Sequence, residues 1–184
     1  MSYTEGEIII GRNVEDELKE TQAAFSRHLG PDIALIPKIG EHIILSGGKR
    51  LRPALLILTS ALFGGNRKNA TLLAAVIEFV HTATLLHDDV VDEADMRRGL
   101  AAANTIWGNE ASVLVGDFLF AMAFDLAVDQ GSLGALKSLS TATKRLAEGE
   151  ILELMKTADV STTEADYIKI IDGKTAILMA TACE

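Results

Sequence analysis

Residues 69–96 read NATLLAAVIEFVHTATLLHDDVVDEADM, and the rhythm of that stretch decides the fold class. Apolar residues recur every three or four positions and do not alternate, which is the period of a helix. The run is also far longer than an ordinary strand. All three prolines, Pro31, Pro37 and Pro53, lie ahead of it. From Ala54 to Glu184 the chain is free of proline and rich in Ala, Leu, Met, Glu and Lys, a composition that favours helix. No strand-and-turn rhythm interrupts it.

Working outward, the punctuation predicts roughly seven helices. Asn13 can cap a first helix on which Val14, Leu18, Phe25 and Leu29 share a face, ended by Gly30-Pro31. A second starts near Pro37, turns Ile39, Ile43 and Ile44 inward and stops at Gly47-Gly48. Pro53 suits the first position of a third, which Gly64-Gly65 closes. The fourth covers about residues 69–96. A fifth is expected over 110–129, a sixth over 132–157 and a seventh from Thr163 towards the end. The expectation is one all-α domain over residues 1–184.

Composition narrows the function. The chain has 184 residues, 48% apolar and 23% charged, the balance of a globular domain. With 17 Lys and Arg against 26 Asp and Glu, the net charge is −9. No broadly basic face is available for nucleic acid. The single cysteine, Cys183, excludes a disulfide within the chain and points to the reducing cytoplasm. The first residues lack a basic stretch ahead of Ile8-Ile9-Ile10, so no targeting segment is expected. The longest apolar runs, 54–63 and 71–86, are short or broken by Glu78 and His81, so no transmembrane segment is expected. The apolar run over 176–183 has no stop signal, which predicts continuation of the chain or cover from another subunit.

Three polar clusters interrupt the apolar helices. Gly47-Gly48-Lys49-Arg50-Leu51-Arg52-Pro53 puts three cations in a glycine-led turn before a helix. Lys49 and Arg52, three residues apart, can face one anion beside a helix N-terminus. The reading is a phosphate or diphosphate site, or a solvated basic loop. Asp88-Asp89-Val90-Val91-Asp92 sits where the helix dipole disfavours negative charge. Asp88 and Asp92 share a face and suit Mg²⁺, which takes one or two carboxylates and completes its shell with water and phosphate oxygens. Asp89 points about 100° away, towards a supporting role. Arg97-Arg98-Gly99 either complements the helix end or recognises diphosphate. His81 lies two turns before Asp88 on the same face, as a core residue or a substrate contact. Lys174-Thr175 follows Gly173, which can loosen the last helix; read alone, the pair is an ordinary exposed lysine and a helical threonine.

Taken together and in this order, Gly47 to Pro53, Asp88-Asp89-x-x-Asp92, Arg97-Arg98-Gly99 and Gly173-Lys174-Thr175-Ala176 resemble the trans-polyprenyl diphosphate synthases. The resemblance implies an all-α bundle of the isoprenoid synthase type around a central apolar cavity, and a homodimer. It also implies condensation of isopentenyl diphosphate with an allylic diphosphate such as farnesyl diphosphate, assisted by Mg²⁺. By matching position, Asp88 and Asp92 would hold the metal ions. Arg97, Lys174 and Thr175 would contact the allylic diphosphate, and Asp88, Asp92, Arg97 and Lys174 would form the catalytic set. Lys49, Arg52, His81 and Arg98 would grip the diphosphate of isopentenyl diphosphate. Small residues at Ala83, Thr82 and Thr84 imply a long-chain product.

The resemblance reaches only the amino-terminal half of the family pattern. No second aspartate-rich motif comes after Asp92, since Asp125, Asp129, Asp159, Asp166 and Asp172 are scattered. A truncated and inactive chain is therefore expected. The alternatives are a non-catalytic subunit of a heteromeric synthase, or a terpene cyclase. The cations from Lys49 to Arg52 argue against a cyclase, which has no second diphosphate to hold.

Overall fold

The central helix starts where a side chain can satisfy its first turn. Asn66 accepts the Asn69 N–H at 3.1 Å and caps α4 (Arg67–Val91). In this computed structural model, which describes residues 5–30 and 32–184, α4 is the helix around which the others are arranged. Ala74, Ala75, Phe79, Val80, Ala83 and Leu86 are wholly buried along it. It packs on α1 (Glu5–His28), α3 (Leu51–Leu62) and α6 (Asn109–Asp129). Phe25 of α1 stacks on Phe79 with ring centroids 4.1 Å apart. Such a pair adds about 1 kcal/mol to the area it buries.

Most boundaries match the sequence reading. α2 (Leu35–Leu45) carries Pro37 in its first turn and buries Ile39, Ile43 and Ile44. Gly64, at φ +70°, lies just past α3. Ser132 caps α7 (Leu133–Lys156), and Thr163 with Asp166 forms a capping box at α8 (Glu164–Ile171). Gly30, at φ +68°, comes after the end of α1, whereas Pro31 lies outside the described residues.

Other expectations need correction. Asn13 is inside α1 and not at its cap, because the helix begins at Glu5. Pro53 is the third residue of α3, still within the turn where a missing N–H costs nothing. α4 ends at Val91, not near Met96, since Glu93 takes a left-handed φ of +50° and diverts the chain. The chain then makes a hairpin that the sequence rhythm does not announce, β1 (Met96–Arg97) with β2 (Leu100–Ala101). Its two-residue turn, Arg98-Gly99, has positive φ at both positions, the geometry that suits a tight hairpin. The one-turn helix α5 (Ala103–Trp107) comes next.

The expected seventh helix is divided. After α8 comes one π turn, Asp172–Ala176, and then α9 (Ile177–Cys183). Among the described residues, α4 and α6 are each long and apolar enough to cross a membrane by length and composition. That amends the sequence reading, which counts uninterrupted apolar runs only; two-thirds of the α4 window is buried in the bundle. A cleft of about 850 Å³ opens between α3, the first half of α4, the start of α7 and the end of α9. Leu56, Leu73, Val76, Ile77 and Leu139 line it.

Candidate functional site

Two glycines let a cationic turn lie flat against α4. Gly47 and Gly48 have φ of +87° and +155°. A Cβ on Gly48 would stand 2.7 Å from Arg98 Nη1, so only glycine lets the guanidinium settle there. Lys49, Arg50 and Arg52 lie on the way into α3. Facing them on α4 are Glu78, His81, Thr82 and Leu85, one helical stripe. These groups, with Arg98 from the hairpin and Met179 from α9, line a pocket of about 110 Å³. Lys49, Arg52, His81 and Arg98, which come from three separate segments, are thus brought together.

The pocket is electrostatically biased. Burial first, and then Arg52, Arg98, Arg97 and Arg50, push the His81 imidazole down to about 3. It is neutral at physiological pH. Arg52 Nη1 donates to His81 Nε2 at 3.2 Å; arginine cannot accept, so Nδ1 carries the imidazole proton. Burial also lowers the pKa of Arg52, with Glu78 opposing it and Arg98 adding to it. Arg52 Nε is buried and has no hydrogen-bond partner in the structure. Such a donor gains from an anion that enters the pocket.

The acidic end of α4 is organised differently. Asp92 caps the helix, its N–H donating to the Asp88 carbonyl at 2.8 Å, so the one-turn relation between the two acids holds. The Asp88 carboxyl is pushed up to about 6, mainly by burial, then by Glu150 and Asp92, with Lys174 and Arg97 opposing. Lys174 Nζ lies 3.9 Å from Asp88 Oδ2, 2.8 Å from Glu150 Oε2 and in hydrogen-bond contact with Glu153. Burial works against the Lys174 charge, but its bonds to Glu150 and Glu153 outweigh that and raise its pKa. Thr175 is exposed on the same π turn. Asp89 is 1% exposed, and Arg97 Nε donates to both its carboxylate oxygens at 2.8 Å. The supporting place foreseen for Asp89 is therefore the seat of Arg97.

Glycine again sets the geometry. A Cβ on Gly149 of α7 would stand 2.7 Å from Lys174 N, and one on Gly173 would stand 3.0 Å from the Arg145 carbonyl. Backbone therefore touches backbone, and Arg145 pairs with Asp172 beside the crossing. Sequence reasoning misses Glu150 and Glu153, for which a spacing of three after a glycine is the available signal. It names Arg50 only as one of three cations and Glu78 only as a break in an apolar run, although a charge three residues before His81 marks the same face.

Among the described residues no group of three or more His, Cys, Asp or Glu side chains can enclose a metal ion. Asp88 and Asp92 nevertheless fit Mg²⁺, which uses one or two carboxylates and fills its other positions with water and phosphate oxygens. A hard dication would also relieve the crowding of acids that disfavours the charged form of Asp88.

Comparison with known proteins supplies the context. Residues 33–184 match the polyprenyl synthetase family model. The chain is 46% identical over 168 residues to the octaprenyl diphosphate synthase of Escherichia coli (strain K12), covering 91% of this chain and 52% of that protein. The crystal structure of a decaprenyl diphosphate synthase from Rhodobacter capsulatus superposes with a TM-score of 0.91 at 42% identity, over 95% of this chain and 54% of that one. A polyprenyl synthase from Caulobacter crescentus CB15, complexed with calcium and isoprenyl diphosphate, has a TM-score of 0.91 at 46% identity over 95% and 53% of the two chains. The chain spans about half the length of the relatives it matches.

Proposed function

Because the chain belongs to the polyprenyl synthetase family, we propose that it serves the head-to-tail condensation of isopentenyl diphosphate with an allylic diphosphate such as farnesyl diphosphate. The observation that carries this reading is the convergence of Lys49, Arg52, Arg98 and a neutral His81 on one pocket, close to the acidic end of α4. In this reading those four groups bind the diphosphate of isopentenyl diphosphate. Arg97, Lys174 and Thr175 meet the allylic diphosphate, with Lys174 exchanging its carboxylate partners for phosphate oxygens. Asp88 and Asp92 would hold Mg²⁺, which when bound supplies charge neutralisation for the departing diphosphate.

The reaction then needs no side-chain nucleophile. The allylic C–O bond breaks with its electron pair leaving on diphosphate, and the double bond of isopentenyl diphosphate attacks the resulting cation. A proton is then lost to the released diphosphate. Cations fixed in advance around the leaving group stabilise the charge as it develops. Apolar walls keep water from the cation. The small residue Ala83 and the cleft further back along α4 support a long-chain product. The octaprenyl and decaprenyl relatives point the same way. A homodimer in the cytoplasm completes the proposal.

Asp88 and Asp92 would form one metal-binding wall, so binding without turnover is expected of this chain alone. Calorimetric titration with isopentenyl diphosphate tests the reading. Saturable binding that Lys49→Ala and Arg52→Ala abolish supports it, and no binding by the folded chain overturns it. Incubation with Mg²⁺, farnesyl diphosphate and isopentenyl diphosphate, followed by chromatography of extracted prenyl products, tests the lack of turnover.

A further inference from the structure

Arg50 stands between the two cations assigned to substrate, yet it faces inward. It is the N-cap residue of α3 and has left-handed backbone angles, φ 49° and ψ 37°, which cost a residue with a Cβ roughly 1 kcal/mol or more. Its side chain compensates. Nη1 donates to Glu78 Oε2 at 3.1 Å and Nη2 donates to the Ile44 carbonyl at 3.0 Å. One guanidinium therefore ties the turn to α4 on one side and to the end of α2 on the other. Glu78 is only 7% exposed and sits within the most apolar part of α4. Isolated, a carboxylate there would be costly, and burial does raise its pKa, with Arg50, Arg52 and Arg98 opposing that rise.

A buried negative charge beneath an anion pocket is unfavourable for the anion itself. Its presence calls for a compensating role, and the contacts supply one. We propose that Glu78 is a positioning residue: through Arg50 it holds residues 47–50 against α4, so that Lys49 and Arg52 present their charges to one anion. This rests on the reading of the pocket as a diphosphate site. It adds to that reading a residue that does not touch substrate.

The sign of one measurement separates this role from simple electrostatics. Glu78→Met keeps a long side chain of good helix propensity and removes a negative charge from a cationic pocket. By charge alone it must tighten the binding of an anion. By positioning, it must weaken it. Arg50→Lys provides the second test, since it keeps the charge but loses the fork that spans Glu78 and Ile44. Inorganic diphosphate titrated calorimetrically into the whole chain, in low salt and without metal, reports on this pocket. Far-ultraviolet circular dichroism checks that each variant is folded.

Both variants are expected to bind diphosphate about tenfold more weakly than the parent chain, the loss of one charge-assisted hydrogen bond. Unchanged or tighter binding by folded Glu78→Met, or unchanged binding by Arg50→Lys, overturns the proposal while leaving the pocket in place. If Glu78→Met does not fold, Arg50→Lys decides. If the parent chain itself binds no diphosphate, the diphosphate reading of the pocket fails, and the role of Glu78 fails with it.

Discussion

The two ends of the candidate site treat charge in opposite ways. At the basic pocket Lys49, Arg50, Arg52 and Arg98 face a single carboxylate, Glu78, and a histidine that burial keeps neutral. At the acidic end the cations are already answered, Lys174 by Glu150 and Glu153 and Arg97 by Asp89, and the acids are in excess. The first region leaves positive charge unspent and is ready for an anion from solution. The second has its cations paired within the fold, so an anionic ligand there has to displace an internal partner. Disturbing the acidic end should therefore cost stability. Disturbing the pocket rim should cost binding.

The hardest blow to this contrast is Asp89→Asn. It leaves Arg97 partly buried without its counter-charge, and removal of one member of such a pair costs about 3–5 kcal/mol. Urea unfolding should show that loss, and a change under about 1 kcal/mol would mean that Arg97 does not depend on Asp89. Next comes Gly149→Ala. The added methyl meets the Lys174 backbone and forces the π turn away, with an expected cost of about 1–3 kcal/mol. Thermal unfolding reads it. Unchanged stability would show that the crossing can relax.

His81 brings pH into the comparison. Its folded pKa, about 3, lies below the 6.5 of an unfolded histidine, so the unfolded chain takes up the proton first. The stability it confers is full above pH 6.5 and is lost as pH falls towards 3. Between about pH 7.5 and 5 this group alone should account for about 2 kcal/mol, a slope that His81→Gln flattens. In nuclear magnetic resonance spectra its ring should show no titration from about pH 8 to 5. The smallest effect is expected at Lys49. Lys49→Ala should leave stability within about 0.5 kcal/mol, because the side chain is exposed. A larger loss would show that the pocket rim is part of the fold.

The parts of the molecule that are legible in the sequence are those with local causes. Ser132, Thr163 and the glycines that close α2 and α3 act within a turn of themselves, and their helices begin or end close to where they stand. The grouping of Lys49, Arg52, His81 and Arg98 is legible only through the family resemblance, since their spacing says nothing of their meeting. Glu150 and Glu153 are hidden because their significance depends on Gly149 letting the π turn come close, a contact between distant segments. The hairpin is hidden because Arg98-Gly99 is a weak turn signal. It is held by tertiary bonds, between His42 Nε2 and the Ala101 carbonyl at 2.9 Å and from Arg97 Nε to the Asp89 carboxylate at 2.8 Å.

That hairpin also works as a divider. Arg97 and Arg98 are neighbours in the chain, yet one guanidinium goes to Asp89 and the other to Gly48. Arg97 ends β1 whereas Arg98, at φ +52°, begins the turn, so the reversal of the chain sends the two guanidinium groups to different partners. Adding one residue at the turn would break the positive-φ pair Arg98-Gly99 and carry the Arg98 guanidinium away from Gly48. This loop should therefore tolerate changes of residue type at Met96 or Leu100 far better than any change in its length.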